Sequence, residues 1–171
     1  MQNNMYNVMV YIEENTKEDF MKKETVVIIT KYLLDFMYFS GMIVTVSLPW
    51  SIKWLGEFFE YENYLEKYRE VVVLYFILGI LAILIIGELR KIFRTVLADD
   101  CFVKENVISL QRMGTYSFII AAFCFVRTLV YLTVAMPTLI LVFMIAGLFS
   151  KVLACVFDKA VEYKQENDFT I

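Results

Sequence analysis

Four charged side chains fall inside long apolar runs: Lys31 and Asp35 in the first, Arg127 in the third and Lys151 in the fourth. A charge held in hydrocarbon is costly, so such residues turn inward and pair, or they line a pocket for an ion or polar ligand. Counted from one end of their runs, Asp35 lies about 14 Å deep and Arg127 about 20 Å, a gap that an arginine side chain spans. Lys151 lies at a depth comparable to Asp35, and Lys31 is one turn away on the same helix, so Asp35 has three candidate partners. In one reading Lys31 and Lys151 snorkel to the interface while Asp35 and Arg127 pair to fix the helices. In the other, the four form a buried polar pocket.

Little else in the chain does chemistry. There is no histidine and there are three cysteines, which removes the commonest general base and metal ligand. No Gly-rich phosphate loop and no serine or cysteine with a histidine partner is present. An enzyme is therefore not expected, and neither is a metal or other cofactor. A net charge of −3 gives no reason to expect direct contact with nucleic acid.

The elements that must position those charges follow from composition. Of 171 residues, 60% are hydrophobic and 20% charged, more apolar material than one small core buries, and the lipid bilayer is the natural partner. Four runs reach the length of about 20 residues that hydrocarbon demands of a helix. They are 26–48, closing at Pro49 and Trp50, then 71–87, 114–135 and, after Pro137, 139–157. Continuous runs of this length are helices, because barrel strands are shorter and alternate.

Lysine and arginine set the orientation. Arg90, Lys91, Arg94, Lys104 and Arg112 lie between spans two and three, whereas Lys53, Lys67 and Arg69 stand among glutamates between spans one and two. With the basic residues near both termini added, the prediction is an all-α, integral membrane four-helix bundle with both termini cytoplasmic. Residues 1–25 form a cytoplasmic extension, with a short helix near 6–12 or a natural start at Met21. Residues 26–157 form the four-span domain, with an outer loop over 49–70 and a cytoplasmic loop over 88–113, and 158–171 form a helical cytoplasmic tail. Trp50, Trp54, Phe58, Phe59, Tyr61, Tyr64 and Tyr68 give the outer loop an aromatic character that suits an interfacial belt or a recognition lip.

Small residues at four-residue spacing mark where helices approach closely. Gly41 and Thr45 form such a stripe in span one, Ser117 and Ala121 in span three, and Ala146, Ser150 and Ala154 in span four. A compact antiparallel bundle is expected from them, with spans three and four adjacent through their short turn. The same stripes also suit a homo-oligomer.

The cytoplasmic loop and tail carry a resemblance. Glu88-Leu89-Arg90-Lys91-Ile92-Phe93, Asp100-Cys101-Phe102-Val103-Lys104-Glu105-Asn106-Val107 and Leu110-Gln111-Arg112-Met113-Gly114 resemble the signature of a bacterial family of small four-helix membrane proteins, domain-of-unknown-function family 2975. The ending Glu166-Asn167-Asp168-Phe169-Thr170-Ile171 is similar to the family's tail. Here Cys101 replaces the family's proline and Val103 its hydroxyl cap, so Asp100 is expected to cap the next helix in a looser turn. The resemblance covers about 21–171 and brings no catalytic residues. It implies a membrane component of a regulatory pair whose partner is a cytoplasmic transcription regulator of the small Cro-like helix-turn-helix kind.

The surface expected to meet such a partner comprises Arg90, Lys91, Arg94, Phe102, Lys104, Glu105, Arg112 and Phe169. The alternative function is a small transport or immunity protein that binds an apolar or peptide ligand between its helices.

Overall fold

The computed structural model describes residues 2–58, 62–98, 100–130 and 135–168, with side chains over 25–54, 68–98, 100–129 and 135–167. Among the described residues four helices make up the fold: α1 (Gln2–Phe58), α2 (Glu62–Leu97), α3 (Lys104–Val130) and α4 (Ala135–Asp168). Each contains a stretch long and apolar enough to cross a membrane, at Thr25–Trp54, Tyr68–Leu97, Lys104–Leu129 and Ala135–Asn167. In hydrocarbon every backbone N–H and C=O must be satisfied within the segment, which a helix achieves. Hydroxyl side chains follow the same rule by bonding back to their own helix, as Thr30 does to the Val26 carbonyl at 2.8 Å and Thr128 to that of Cys124 at 2.8 Å.

The helices run further than expected. Span one does not close at Pro49, because α1 continues through it to Phe58. Proline removes one intrahelical donor, and membrane helices tolerate this where neighbours support the turn. Here Tyr68 of α2 donates its hydroxyl to the Pro49 carbonyl at 2.5 Å, which ties this turn to α2 without replacing the N–H that the Thr45 carbonyl loses. Pro137 falls in the first turn of α4, where its missing N–H has no partner to lose. The segments 88–97 and 104–113 are likewise continuous with spans two and three, since a lone Gly87 or Gly114 weakens a helix by only about 1 kcal/mol. The region around 6–12 is part of α1. Phe58, Phe59, Tyr61 and Tyr64 of the expected aromatic segment, and Phe169 of the tail, lie outside the described side chains.

Consecutive helices are antiparallel, as their facing residues show. Asp35 faces Arg90, and Thr45 faces Gly79. Glu88 faces Ser109, Phe118 faces Gly147 and Lys104 faces Asp158. The expected compact bundle is instead an open one: α1 packs on α2, α2 on α3 and α3 on α4, and among the described residues α1 packs against neither α3 nor α4. The smooth faces are consumed within each pair, and lipid supplies no hydrophobic pressure to close the remaining gap. The buried apolar cluster sits at the end of the molecule that carries the α2–α3 connection, where Ile92, Val107, Leu110, Ala154 and Val161 meet. Elsewhere large apolar side chains point outward, Phe36 at 71%, Leu129 at 72% and Phe149 at 67% exposure, a distribution suited to contact with lipid and too apolar for water.

Candidate functional site

The intramembrane charges do not gather as the sequence suggests. Asp35 accepts a hydrogen bond from Arg90 Nε at 2.5 Å, with the two side chains 31% and 26% exposed. The Arg90 guanidinium also lies 4.5 Å from the Tyr38 ring centroid and 5.6 Å from that of Phe39. This pairing replaces the expected one with Arg127, which stands on α3, a helix that α1 does not reach among the described residues. Lys151 donates to Thr115 Oγ1 at 2.9 Å, across the α3–α4 seam. Lys31 is exposed. The four residues therefore form no common pocket. Arg90, assigned from sequence to the partner surface, is turned toward α1. The signal that could have found it is register, since Asp35 opposite Arg90 and Thr45 opposite Gly79 share one antiparallel alignment.

The small-residue stripes lie where the helices approach. Gly41 faces Ile83, with a Cβ at that glycine falling 3.6 Å from Ile83 Cγ1. Thr45 is buried against Gly79, where a Cβ would meet the Thr45 hydroxyl at 2.8 Å. Ser117, Ala121, Ser150 and Ala154 are buried on α3 and α4, and Ala146 is partly so.

The most elaborate polar arrangement occupies the end with the α2–α3 connection. Glu88, buried within α2, accepts from Lys91 Nζ at 2.8 Å and Ser109 Oγ at 2.8 Å, and Arg112 Nη1 stands 3.5 Å away. One carboxylate thus holds α2 to α3 through the Ser109 hydroxyl and Arg112, with Lys91 of its own helix completing its partners, as a buried charge requires. A turn further on, buried Asn106 donates its side-chain amide to Thr95 Oγ1 at 2.7 Å and to the Cys101 carbonyl at 2.8 Å. This amide organises the turn, and the start of α3 is tightened by the Asn106 N–H donating to the Val103 carbonyl at 3.1 Å. Asp100 does not take the expected capping role; its carboxylate receives Lys164 of α4 at 2.8 Å. Lys104 reaches Asp158 at 2.5 Å, and Phe102 packs tilted on Phe157 at 5.5 Å while 47% exposed. The connection is therefore laid onto α4 by two ion pairs and one aromatic contact.

Beside this network lies a pocket of about 430 Å³ between α2 and α3, with Lys91, Arg94 and Arg112 around it, Glu105 at its edge and Asn106 and Ser109 at its floor. Sequence reasoning named these charges as exposed surface. It did not foresee that they enclose a concavity, because that depends on the angle at which two helices diverge. A second hollow, about 260 Å³, lies between α1 and α2 and is apolar, lined by Tyr38, Met42, Phe76 and Ile80 among others.

Fold and site together define an all-α protein with four helices fitted to cross a membrane and a polar network at one end. The chain matches the family described as "Protein of unknown function (DUF2975)" over residues 14–171. It belongs to that family. No curated protein and no solved structure matches the chain.

Proposed function

We propose that this protein is a non-enzymatic, multi-pass membrane protein with both termini in the cytoplasm, and that the end carrying the α2–α3 connection docks a soluble cytoplasmic partner. The observation that supports this reading is the fixed mounting of that connection. Lys104–Asp158, Asp100–Lys164 and Phe102–Phe157 hold it on α4, while charged groups and part of the Phe102 ring stay accessible. A surface ordered before binding loses less conformational freedom on association, which favours recognition. The partner suggested by the family resemblance is a small Cro-like helix-turn-helix regulator. The test is co-purification of the detergent-solubilised protein with the regulator encoded beside it. Phe102→Asp combined with Lys104→Glu should abolish capture and leave the helical content unchanged. Undiminished capture by that variant overturns the assignment of the surface, and absence of capture by the unaltered chain overturns the reading.

A second reading, a small transport or immunity protein, draws on the apolar hollow between α1 and α2. It takes an apolar or peptide ligand there. Filling the hollow with Ile80→Trp should then abolish protection against membrane-active compounds, a phenotype that the docking reading does not predict.

A further inference from the structure

We infer that the pocket between α2 and α3 holds the phosphate of an anionic membrane lipid. Three cations, Lys91, Arg94 and Arg112, surround it with one rim carboxylate, Glu105, and Glu88 lies behind. Three positive and two negative groups leave a single net positive charge, which matches a phosphodiester carrying one negative charge. Lys91 and Arg112 each turn only part of their donor set toward Glu88: an ammonium has three N–H groups and a guanidinium five. Arg94 makes no ion pair among the described residues, although it lines the same space. Three converging donors with spare N–H groups are what phosphate recognition requires.

The surroundings say that the phosphate is carried by a lipid. Along α3, Arg112 is followed on one helical face by Ile119, Phe123 and Val126, all exposed, at 37%, 37% and 59%. Along α2, Lys91 is preceded on its face by Ile80 and Leu84, exposed at 42% and 43% and bordering the apolar hollow against α1. Each helix that borders the pocket thus carries, in line with one of its cations, an exposed apolar stripe that runs into its membrane-spanning stretch, a layout suited to a headgroup above two acyl chains. A pocket for a soluble anion has no use for that apolar approach. Basic pockets between membrane helices near the interface are suited to such headgroups, each cation contributing on the order of 1 kcal/mol, about a fivefold change in affinity.

The experiment uses the full-length protein in a zwitterion-free neutral detergent and measures bound lipid by native mass spectrometry, with thermal stability as a second readout. Phosphatidylglycerol is expected to bind at least about tenfold more tightly than phosphatidylcholine and to raise the unfolding temperature. Arg94→Gln should lower phosphatidylglycerol affinity about fivefold, and Arg94→Lys should retain most of it. Arg94 makes no ion pair or hydrogen bond among the described residues, so a circular dichroism spectrum like that of the unaltered chain is expected for both variants. Equal binding of the two lipids, or unchanged affinity in Arg94→Gln, overturns the inference. Equal stabilisation by inorganic phosphate also overturns it, because the site then takes a free anion. No partner is present in this assay, so its outcome is independent of the docking reading.

Discussion

Arg90 of α2 reaches Asp35 of α1 at 2.5 Å and at the same time covers the ring of Tyr38, one turn further along α1, at 4.5 Å. One side chain thus fastens α1 at two points, by charge and by the ring face. Replacing Arg90 with leucine leaves a half-buried carboxylate unpaired and should destabilise the protein by about 2 kcal/mol, while Asp35→Leu together with Arg90→Leu should cost much less. Arg90→Lys should recover only part, since an ammonium does not stack. Thermal unfolding of the singles and the double in detergent measures the coupling. Asp35→Ala and Arg127→Ala, by contrast, should be additive, because their helices do not meet among the described residues.

The α1–α2 seam makes a steric prediction. Alanine at position 79 places its Cβ 2.8 Å from Thr45 Oγ1 and 3.0 Å from Cγ2, so Gly79→Ala should cost about 1–3 kcal/mol through overpacking. Thr45→Ala in the same chain removes both clashing atoms and should restore most of the loss. A double variant no more stable than Gly79→Ala alone would mean that the helices are not this close.

Asn106 is buried and supports both the Thr95 hydroxyl and the Cys101 carbonyl. Asn106→Ala removes the hydrogen bonds to the Thr95 hydroxyl and the Cys101 carbonyl, a loss of about 2 kcal/mol. The effect should be local, with faster proteolytic cleavage within 98–103 at a temperature where the helices persist. Cleavage at the unaltered rate would show that the turn is held by its other contacts.

The ion pairs that lay the connection on α4 should behave differently. Lys104 and Asp158 are 66% and 47% exposed, so Asp158→Ala should change stability by less than about 1 kcal/mol. The same change should weaken partner capture if the connection must be held in place to be recognised. Stability and capture, measured on one preparation, separate the two effects.

The number and type of elements were legible because apolar run length is read directly against membrane thickness: spans 26–48, 71–87 and 139–157 lie within α1, α2 and α4, and span 114–135 lies within α3 as far as Val130, its last residues falling outside that helix. The ends were less so. Pro49 reads as a stop in water, yet Tyr68 supports the turn from a position eighteen residues beyond Trp50, a tertiary contact invisible to local pattern. Intramembrane charges were found by type but not by partner, since depth alone gives Asp35 several equal choices and only the α1–α2 register selects Arg90. Asn106 illustrates the same limit. The family signature marks it, but the hydrogen bonds that make it the organiser of the turn need both Thr95 and Cys101 placed in space.

The consecutive packing of the helices bears on how the protein is made. Each helix packs against its neighbour in the chain, and among the described residues no pairing joins α1 to α4, so no segment must wait for a distant one to be synthesised. Short loops are closed quickly and with little entropy. The α1–α2 hairpin can therefore assemble as soon as α2 has entered the bilayer, with Arg90 meeting Asp35 before α3 exists. Biogenesis becomes a stepwise addition of helices in the order of translation, and a chain released after α2 should already hold its first hairpin in the membrane.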